Sequence, residues 1–234
     1  MIVIPTYKRY TIKTINLLEK EGFEPNEITI YVANQDEYDI YKNNYPNYNI
    51  VIGIITIRGQ REFIQSQYPE GEIIISMDDD IESYKHFENK NLRQIFNECI
   101  EYLKNSKSGL LSFNPSSNSF FSLKEWKFKE GNYLCVGFIH IFKVDHSIKG
   151  DIDVCEDYDR TMMYLNKYGS IVRYGQVCFK TKFDAKGGLS VYRTREVYLE
   201  NVNKLLEKWP ELTFNIKKSG IFKGLPNVRI KKKK

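Results

Sequence analysis

The sequence predicts an α/β protein built on a mostly parallel, doubly wound sheet, flanked by helices in a single domain. Three observations carry that expectation. Residues 1–80 alternate four times between a short, β-branched apolar run and an amphipathic or polar segment, the signature of parallel strands joined by crossovers. Each run stops at a polar cluster: Thr6-Tyr7-Lys8-Arg9, Asn34-Gln35, Arg58-Gly59-Gln60-Arg61 and Asp78-Asp79-Asp80. The 234 residues are 41% hydrophobic and 28% charged, an ordinary soluble globular composition with length enough for a sizeable core.

In chain order, Ile2 to Tyr7 reads as a strand broken by Pro5, followed by a helix with Ile12, Ile15 and Leu18 on one face and Gly22 as its stop. Ile28 to Ala33 is a second strand and "DEYDIYKNNY" a short helix. Ile50 to Ile57 is a third strand ending at Arg58-Gly59, and "QREFIQSQY" gives a turn or two of helix before the strand that ends in the aspartates. Asn91 to Ser106 is an amphipathic helix with Leu92, Ile95, Phe96, Cys99 and Leu103 as its stripe. "GLLSFN" is a further strand, and the polar, turn-rich "NPSSNSFFSLKEW" is expected to be a mobile loop. Tyr133 to Val144 reads as one long strand with Gly137 inside it. Glu156 to Gly169 is a helix with acidic residues in its first turn, where the dipole favours them. Ile171 to Phe183 has the look of a hairpin, "KGGLS" of a flexible loop, and Thr194 to Leu212 of a last helix.

The net charge of +5 is unevenly placed. Eight of the 35 basic residues, and none of the 30 acidic ones, lie between 214 and 234. The expected organisation is therefore a domain over 1–213 and a basic tail over 214–234. Such a tail is either a solvated chain end or an arm that contacts phosphates through Lys231, Lys232, Lys233 and Lys234. No apolar run is long enough to span a membrane, and no signal peptide is expected from the opening MIVIPTYKR. Cys99, Cys135, Cys155 and Cys178 are widely spaced and read as reduced thiols in a cytoplasmic protein. His86, His140 and His146 lack metal-ligand spacing, and His140 within "FIHIF" reads as a core residue.

Ligands of doubly wound sheets bind beyond the carboxyl ends of the strands, where all four polar clusters lie. Alternation along a strand turns Asp78 and Asp80 to the same side. A hard cation, Mn²⁺ or Mg²⁺, would relieve their repulsion and bind phosphate oxygens. The other reading is an acidic turn or a helix cap. Glu156 and Asp157, with Asp151, Asp153 and Asp159 nearby, form a second acidic cluster. A carboxylate at a helix start can take a proton from an attacking hydroxyl, or simply cap the helix.

The opening "VIPTYKR" and the "MDDD" resemble the nucleotide-binding strand and D-x-D of GT-A glycosyltransferases. More narrowly, "IRGQREFIQSQYPEGEIIISMDDDIESY", with the later "EDYDRTMMYLNKYG" and "KTKF…GGLS", resembles the TET-associated glycosyltransferases of phages and viruses, relatives of the base J glucosyltransferase. The resemblance implies a GT-A fold, with a donor-binding half over about 1–105 and an acceptor half over about 106–213, and transfer of a sugar from a nucleotide diphosphate sugar, a UDP-sugar first among them, to a 5-hydroxymethyl pyrimidine in duplex DNA. It implies that Pro5, Thr6 and Tyr7 line the nucleotide pocket, with Arg9 at a phosphate or ordering the loop and Asn34 at the base. Arg58 and Arg61 would pair with the diphosphate or lock the aspartate loop. Asp78, beside Asp79, would hold the ribose or sugar, and Asp80, with Asp78, the metal. Asp157 would be the general base, with Glu156 as the alternative, in an inverting displacement. A protein or polysaccharide acceptor would use the same first strands. A metal-dependent nuclease would need further carboxylates for a second metal, and a non-catalytic nucleic-acid-binding module would have no use for the acidic clusters.

Overall fold

The computed structural model describes residues 1–181, 194–217, 224 and 226–231. Four strands alternate with three helices from the start: β1 (Ile2–Pro5), α1 (Lys13–Lys20), β2 (Ile28–Val32), α2 (Gln35–Asn44), β3 (Asn49–Ile52), α3 (Ile57–Ser66) and β4 (Ile73–Met77). They form the parallel array β3-β2-β1-β4. The chain winds outward from β1 to β3 and then returns to the other side of β1. The strand order reverses between β1 and β4, and ligands of such sheets bind in the crevice beyond the carboxyl ends at that point.

Beyond β4 the sheet continues with β8 (Ile139–Lys143), β6 (Leu110–Phe113), β9 (Ile171–Tyr174) and the edge strand β7 (Phe128–Gly131). β8 runs against both β4 and β6, β9 runs parallel to β6, and β7 is antiparallel to β9. Among the described residues the result is an eight-stranded, mostly parallel sheet with helices on its faces, the expected class. Ile4, Ile28, Ile30, Ile75 and Ile141 pack against one helical layer and Val3, Tyr31, Ile74 and Phe142 against the other. This two-sided burial explains why the strands read as unbroken apolar runs.

The helices form where caps and stripes agree. α4 (Leu92–Asn105) starts with a capping box between Asn91 and Gln94 and buries Leu92, Ile95, Phe96, Cys99 and Leu103. α6 (Glu156–Tyr168) ends at Gly169, whose φ of +80° is the left-handed C-terminal stop that glycine favours. α7 (Arg195–Lys208) starts at Thr194, whose side chain accepts from Val197 N.

Several elements differ from the sequence reading. The third strand ends at Ile52, not Ile57. Gly53 follows it, Ile54 and Ile55 are exposed, and Thr56 caps α3 through Gly59 N. An apolar β-branched run does not distinguish a strand from the start of a helix, so Arg58 to Arg61 lie on α3 rather than in a strand-end loop. The long strand expected from Tyr133 is confined to β8, because Gly137 takes a φ of +103° that breaks the extended run. β9 and β10 (Val177–Thr181) are not a hairpin: β10 pairs antiparallel with β5 (Ile81–His86), a strand the sequence reading missed, in a separate two-stranded sheet. The segment expected to be a mobile loop contains a helical turn, α5 (Ser119–Ser122), and is tied by Asn114 Nδ2 donating to Ser122 O at 2.5 Å and Lys124 N to Gly175 O at 2.8 Å. "KGGLS" lies outside the described residues.

The basic C-terminal stretch includes strand structure. β11 (Leu212–Ile216) crosses the boundary expected at 213/214 and pairs antiparallel with β12 (Pro226–Ile230). Leu212 and Val228 are buried with Val202 and Leu205 of α7. Lys231 closes this hairpin, with its N donating to Glu211 O at 2.7 Å and its Nζ to Pro210 O at 2.5 Å. Lys232 to Lys234 lie outside the described residues. No helix among the described residues is long and apolar enough to cross a membrane.

Candidate active site

The crevice between the ends of β1 and β4 is built from the aspartates outward. Thr14, in the first turn of α1, stitches their backbone: its hydroxyl donates to Asp78 O at 2.5 Å and accepts from Ile81 N at 3.0 Å. Asp78 N donates to Phe138 O at 2.8 Å. With the backbone held, Asp79 and Asp80 share Arg9 while Asp78 turns to Arg61.

Asp79 is buried and committed to the fold. Thr6 Oγ1 donates to its Oδ2 at 2.6 Å and Arg9 Nη1 to its Oδ1 at 2.5 Å. Burial still raises its pKa against the pull of Arg9 and Thr6. Thr6 also meets the buried Tyr41 hydroxyl at 2.9 Å, so it secures the loop rather than presenting its hydroxyl to the crevice. Pro5 is likewise buried at the end of β1, while Tyr7 is half-buried with Lys8 Nζ 5.1 Å from its ring centre. Asp80 faces Arg9 from the other side, with Oδ2 2.9 Å from Nη1. Burial opposes the charge on Arg9, but Asp79 and Asp80 outweigh it and raise its pKa. Arg9 thus orders the aspartate loop.

Asp78 turns to Arg61, whose Nη2 lies 3.7 Å from Oδ1. Its side chain is 39% accessible to solvent. It nevertheless stands in a recess crowded by protein, so desolvation lifts its pKa to about 7; Arg61 pulls the other way and Asp80, Asp79 and Glu156 add to the rise. Arg61 is buried and central. Its Nε is 3.4 Å from Glu156 Oε1 and its Nη1 is 2.5 Å from His140 Nδ1. Burial works against its charge, but Glu156, Asp78 and Asp157 hold it protonated. Burial, together with Arg61 and Arg160, drives the His140 pKa well below the ordinary value. The ring is therefore neutral, with Nδ1 accepting from Arg61 and Nε2–H donating to Gly137 O at 3.0 Å. His140 is the core residue expected, and also the brace behind Arg61.

Glu156 and Asp157 open α6. Glu156 is buried against Arg61. Asp157 is half-buried, and its carboxylate accepts from Gly137 N at 3.4 Å and Tyr158 N at 3.0 Å. The rest of the second acidic cluster disperses. Asp153 pairs with Arg58 Nε at 2.8 Å, and Asp151 and Asp159 both pair with Lys208 of α7. Arg58, which also donates to Gly150 O at 3.1 Å, is thereby turned to the 150–153 loop, and only Arg61 of the two arginines meets an aspartate of the triplet. Asn34 stands at the end of β2, where its side-chain oxygen caps α2 through Glu37 N at 3.0 Å.

Glu37 is a residue the sequence reading missed. It is buried and accepts from Lys8 N at 2.6 Å and Ala33 N at 3.0 Å, joining the rims after β1 and β2. Its position three residues after a capping Asn was the available signal.

Among the described residues no group of three or more His, Cys, Asp or Glu side chains is arranged to hold a metal ion. The partly open carboxylates of Asp78 and Asp80 fit a different requirement. A hard cation that keeps water and substrate phosphates as ligands needs only one or two protein carboxylates.

No protein-family model matches the chain, and no curated protein matches it. Solved structures do. A mycobacterial protein superposes with a TM-score of 0.54 at 8% identity, over 98% of this chain and 82% of its own. A Desulfovibrio desulfuricans G20 protein, provisionally described as a nucleotide-diphospho-sugar transferase, gives 0.49 at 9% identity, over 89% of this chain and 96% of its own. At such identity the mycobacterial likeness establishes the fold class alone: a mixed α/β domain with a large, mostly parallel sheet.

Proposed function

We propose that the chain is a metal-dependent glycosyltransferase that moves a sugar from a nucleotide diphosphate sugar to the hydroxymethyl group of a 5-hydroxymethyl pyrimidine in DNA, with inversion. One observation carries the reading: Arg61 joins Asp78, in the D-x-D at the end of β4, to Glu156, in the acidic start of α6. On this reading Arg61 brings the donor-side carboxylate and the acceptor-side pair together beyond the switch point of the sheet. A nuclease with two metals lacks support, because the remaining acids of the second cluster are tied to Arg58 and Lys208.

The roles follow from exposure and partners. Asp78 and Asp80 face the diphosphate and sugar, and would hold Mn²⁺ or Mg²⁺; the bound cation offsets charge on the departing diphosphate. Asp79, Thr6 and Arg9 keep those two carboxylates in place. Asp157 takes the proton from the acceptor hydroxyl as its oxygen bonds to the anomeric carbon and the nucleotide diphosphate leaves from the opposite face. Glu156, held against Arg61, positions that end of α6. Lys231 to Lys234 add phosphate contacts at the far end of the chain.

A panel of nucleotide sugars, offered with Mn²⁺ and an oligonucleotide carrying hydroxymethylcytosine or hydroxymethyluracil, tests this. Release of nucleotide diphosphate from one donor, dependent on the cation, supports the enzyme class. Release that proceeds with a polysaccharide or peptide acceptor and never with DNA moves the reading to that acceptor class.

A further inference from the structure

The strongest feature outside the crevice is an aromatic tip beside a basic strand pair. Phe120 and Phe121 on α5 are 82% and 62% exposed, and their rings meet edge to face at 5.1 Å. The turn that carries them is well tied: Asn114 bonds Ser122, Arg173 Nη1 donates to Asn114 Oδ1 at 3.1 Å, and the Ser122 hydroxyl bonds Ser116 O. A secured turn that presents two adjacent phenylalanines to water loses the burial each ring would otherwise gain, and such apolar surface marks a contact site. The base of the turn lies near the start of α6. Pro115 Cβ lies 4.0 Å from where a side chain on Gly137 would start, and Gly137 N donates to Asp157.

The neighbouring strand pair carries two exposed lysines. Cys178 Sγ lies 3.5 Å from Ser116 O, under the turn, and Cys178 is the register partner of Lys85. Alternation places Lys180 on the same face as Cys178. Lys85 and Lys180 are exposed, and among the described residues neither has an ion-pair partner. Phe87, 50% exposed, follows two positions after Lys85. Aromatic rings interleaved with lysines suit a strand of nucleic acid, whose bases stack on rings while its phosphates meet the cations. An apolar protein partner would not be complementary to the two exposed lysines.

We infer that the Phe120–Phe121 tip and the Lys85/Lys180 face form the DNA-docking surface, with the phenylalanines wedged into the base stack next to the nucleotide being modified. The inference rests on the glycosyltransferase reading for why a base must leave the stack. A hydroxymethyl group on a paired base reaches a protein crevice only when its nucleotide is extruded, and an apolar wedge takes up the gap.

The test is fluorescence from 2-aminopurine placed beside a hydroxymethylcytosine in a duplex, with binding followed by anisotropy on the same sample. The wild-type protein should bind and brighten the probe. The F120A/F121A variant, altered only at exposed positions, should bind about 10- to 100-fold more weakly and leave the probe dark. The K85A/K180A variant should still brighten it at saturation, with a log–log salt slope shallower by about 2. Nucleotide-sugar hydrolysis without DNA should be unchanged in both variants. Wild-type affinity and brightening in F120A/F121A, no duplex binding by the wild type, or loss of a dimer in F120A/F121A by sedimentation would each overturn the surface. Failure of the wild type to hydrolyse any nucleotide sugar would instead overturn the enzymatic reading, and the probe would still judge the surface.

Discussion

Arg61 Nε lies 3.4 Å from Glu156 Oε1, so a buried guanidinium on α3 ties down the first turn of α6. The same side chain reaches Asp78, and His140 braces it from behind. One residue therefore sets the spacing between the two acidic clusters, and its removal exposes how far the site depends on it.

Replacing Arg61 with Met should cost about 3–5 kcal/mol, because the Glu156 carboxylate would be left buried without its cation. Urea denaturation reads the loss. In a double-mutant cycle with Glu156→Gln the two changes should be far from additive, since the glutamine no longer needs the charge. Additive losses would show that Arg61 supports the fold by packing alone.

Asp78 predicts a pH dependence of stability. Its folded pKa, raised to about 7 by desolvation, lies above the ordinary carboxylate value of 3.8. Between those values the folded state holds a proton that the unfolded chain has released, so this group's contribution falls as pH rises from about 4 to about 7. Asp78→Asn should flatten that part of the stability profile measured by denaturation. Mn²⁺ should also bind more tightly above pH 7 than below it, because the cation must displace the proton. A wild-type profile unchanged by Asp78→Asn would contradict the assignment.

Asp80 holds Arg9 but leaves the Thr6–Asp79 contact intact when removed. Asp80→Ala should therefore keep the melting temperature within a few degrees and abolish transfer, since one of the two carboxylates proposed to hold the cation is lost. Wild-type turnover at saturating Mn²⁺ would remove Asp80 from the metal site.

Asp157 and Glu156 should separate by role. Asp157→Asn keeps the Gly137 contact but takes no proton, so transfer should fall by about 10²–10⁴ with donor affinity nearly unchanged. Glu156→Gln should slow transfer less and lower stability more. Rates of transfer together with donor titrations decide between them, and a reversed order would make Glu156 the base.

The part of the fold visible in the sequence is the part governed by local patterns. β1, β2 and β4, buried on both faces, and the helix limits at Asn91 and Gly169 were legible because their signals lie within a few residues. β5 was not, because "IESYKH" alternates like a surface strand and finds its partner β10 far along the chain. The strand-to-helix switch at Gly53–Thr56 was hidden inside one apolar run. Within the site, the rim position of Asp78 to Asp80 and of Glu156 and Asp157 was readable from the ends of elements. Which carboxylate is committed to the fold was not: that depends on Arg9, Thr6 and Arg61 arriving from other segments. Arg58 and Arg61 look alike in sequence. Three positions along α3 send one to the 150–153 loop and the other to the crevice.

The most direct measurement of the central claim is the mass of the acceptor. An oligonucleotide duplex with a single 5-hydroxymethylcytosine or 5-hydroxymethyluracil is incubated with the protein, Mn²⁺ and the donor that the nucleotide-sugar panel identifies, then digested to nucleosides and weighed. The expected result is a gain of one sugar residue on the hydroxymethyl nucleoside, absent with Asp157→Asn and absent from unmodified cytosine and thymine, with the sugar linked in the anomer opposite to that of the donor. Donor turnover with every nucleoside mass unchanged would contradict a DNA hydroxymethyl acceptor, and a sugar added with retained configuration would contradict the single displacement through Asp157.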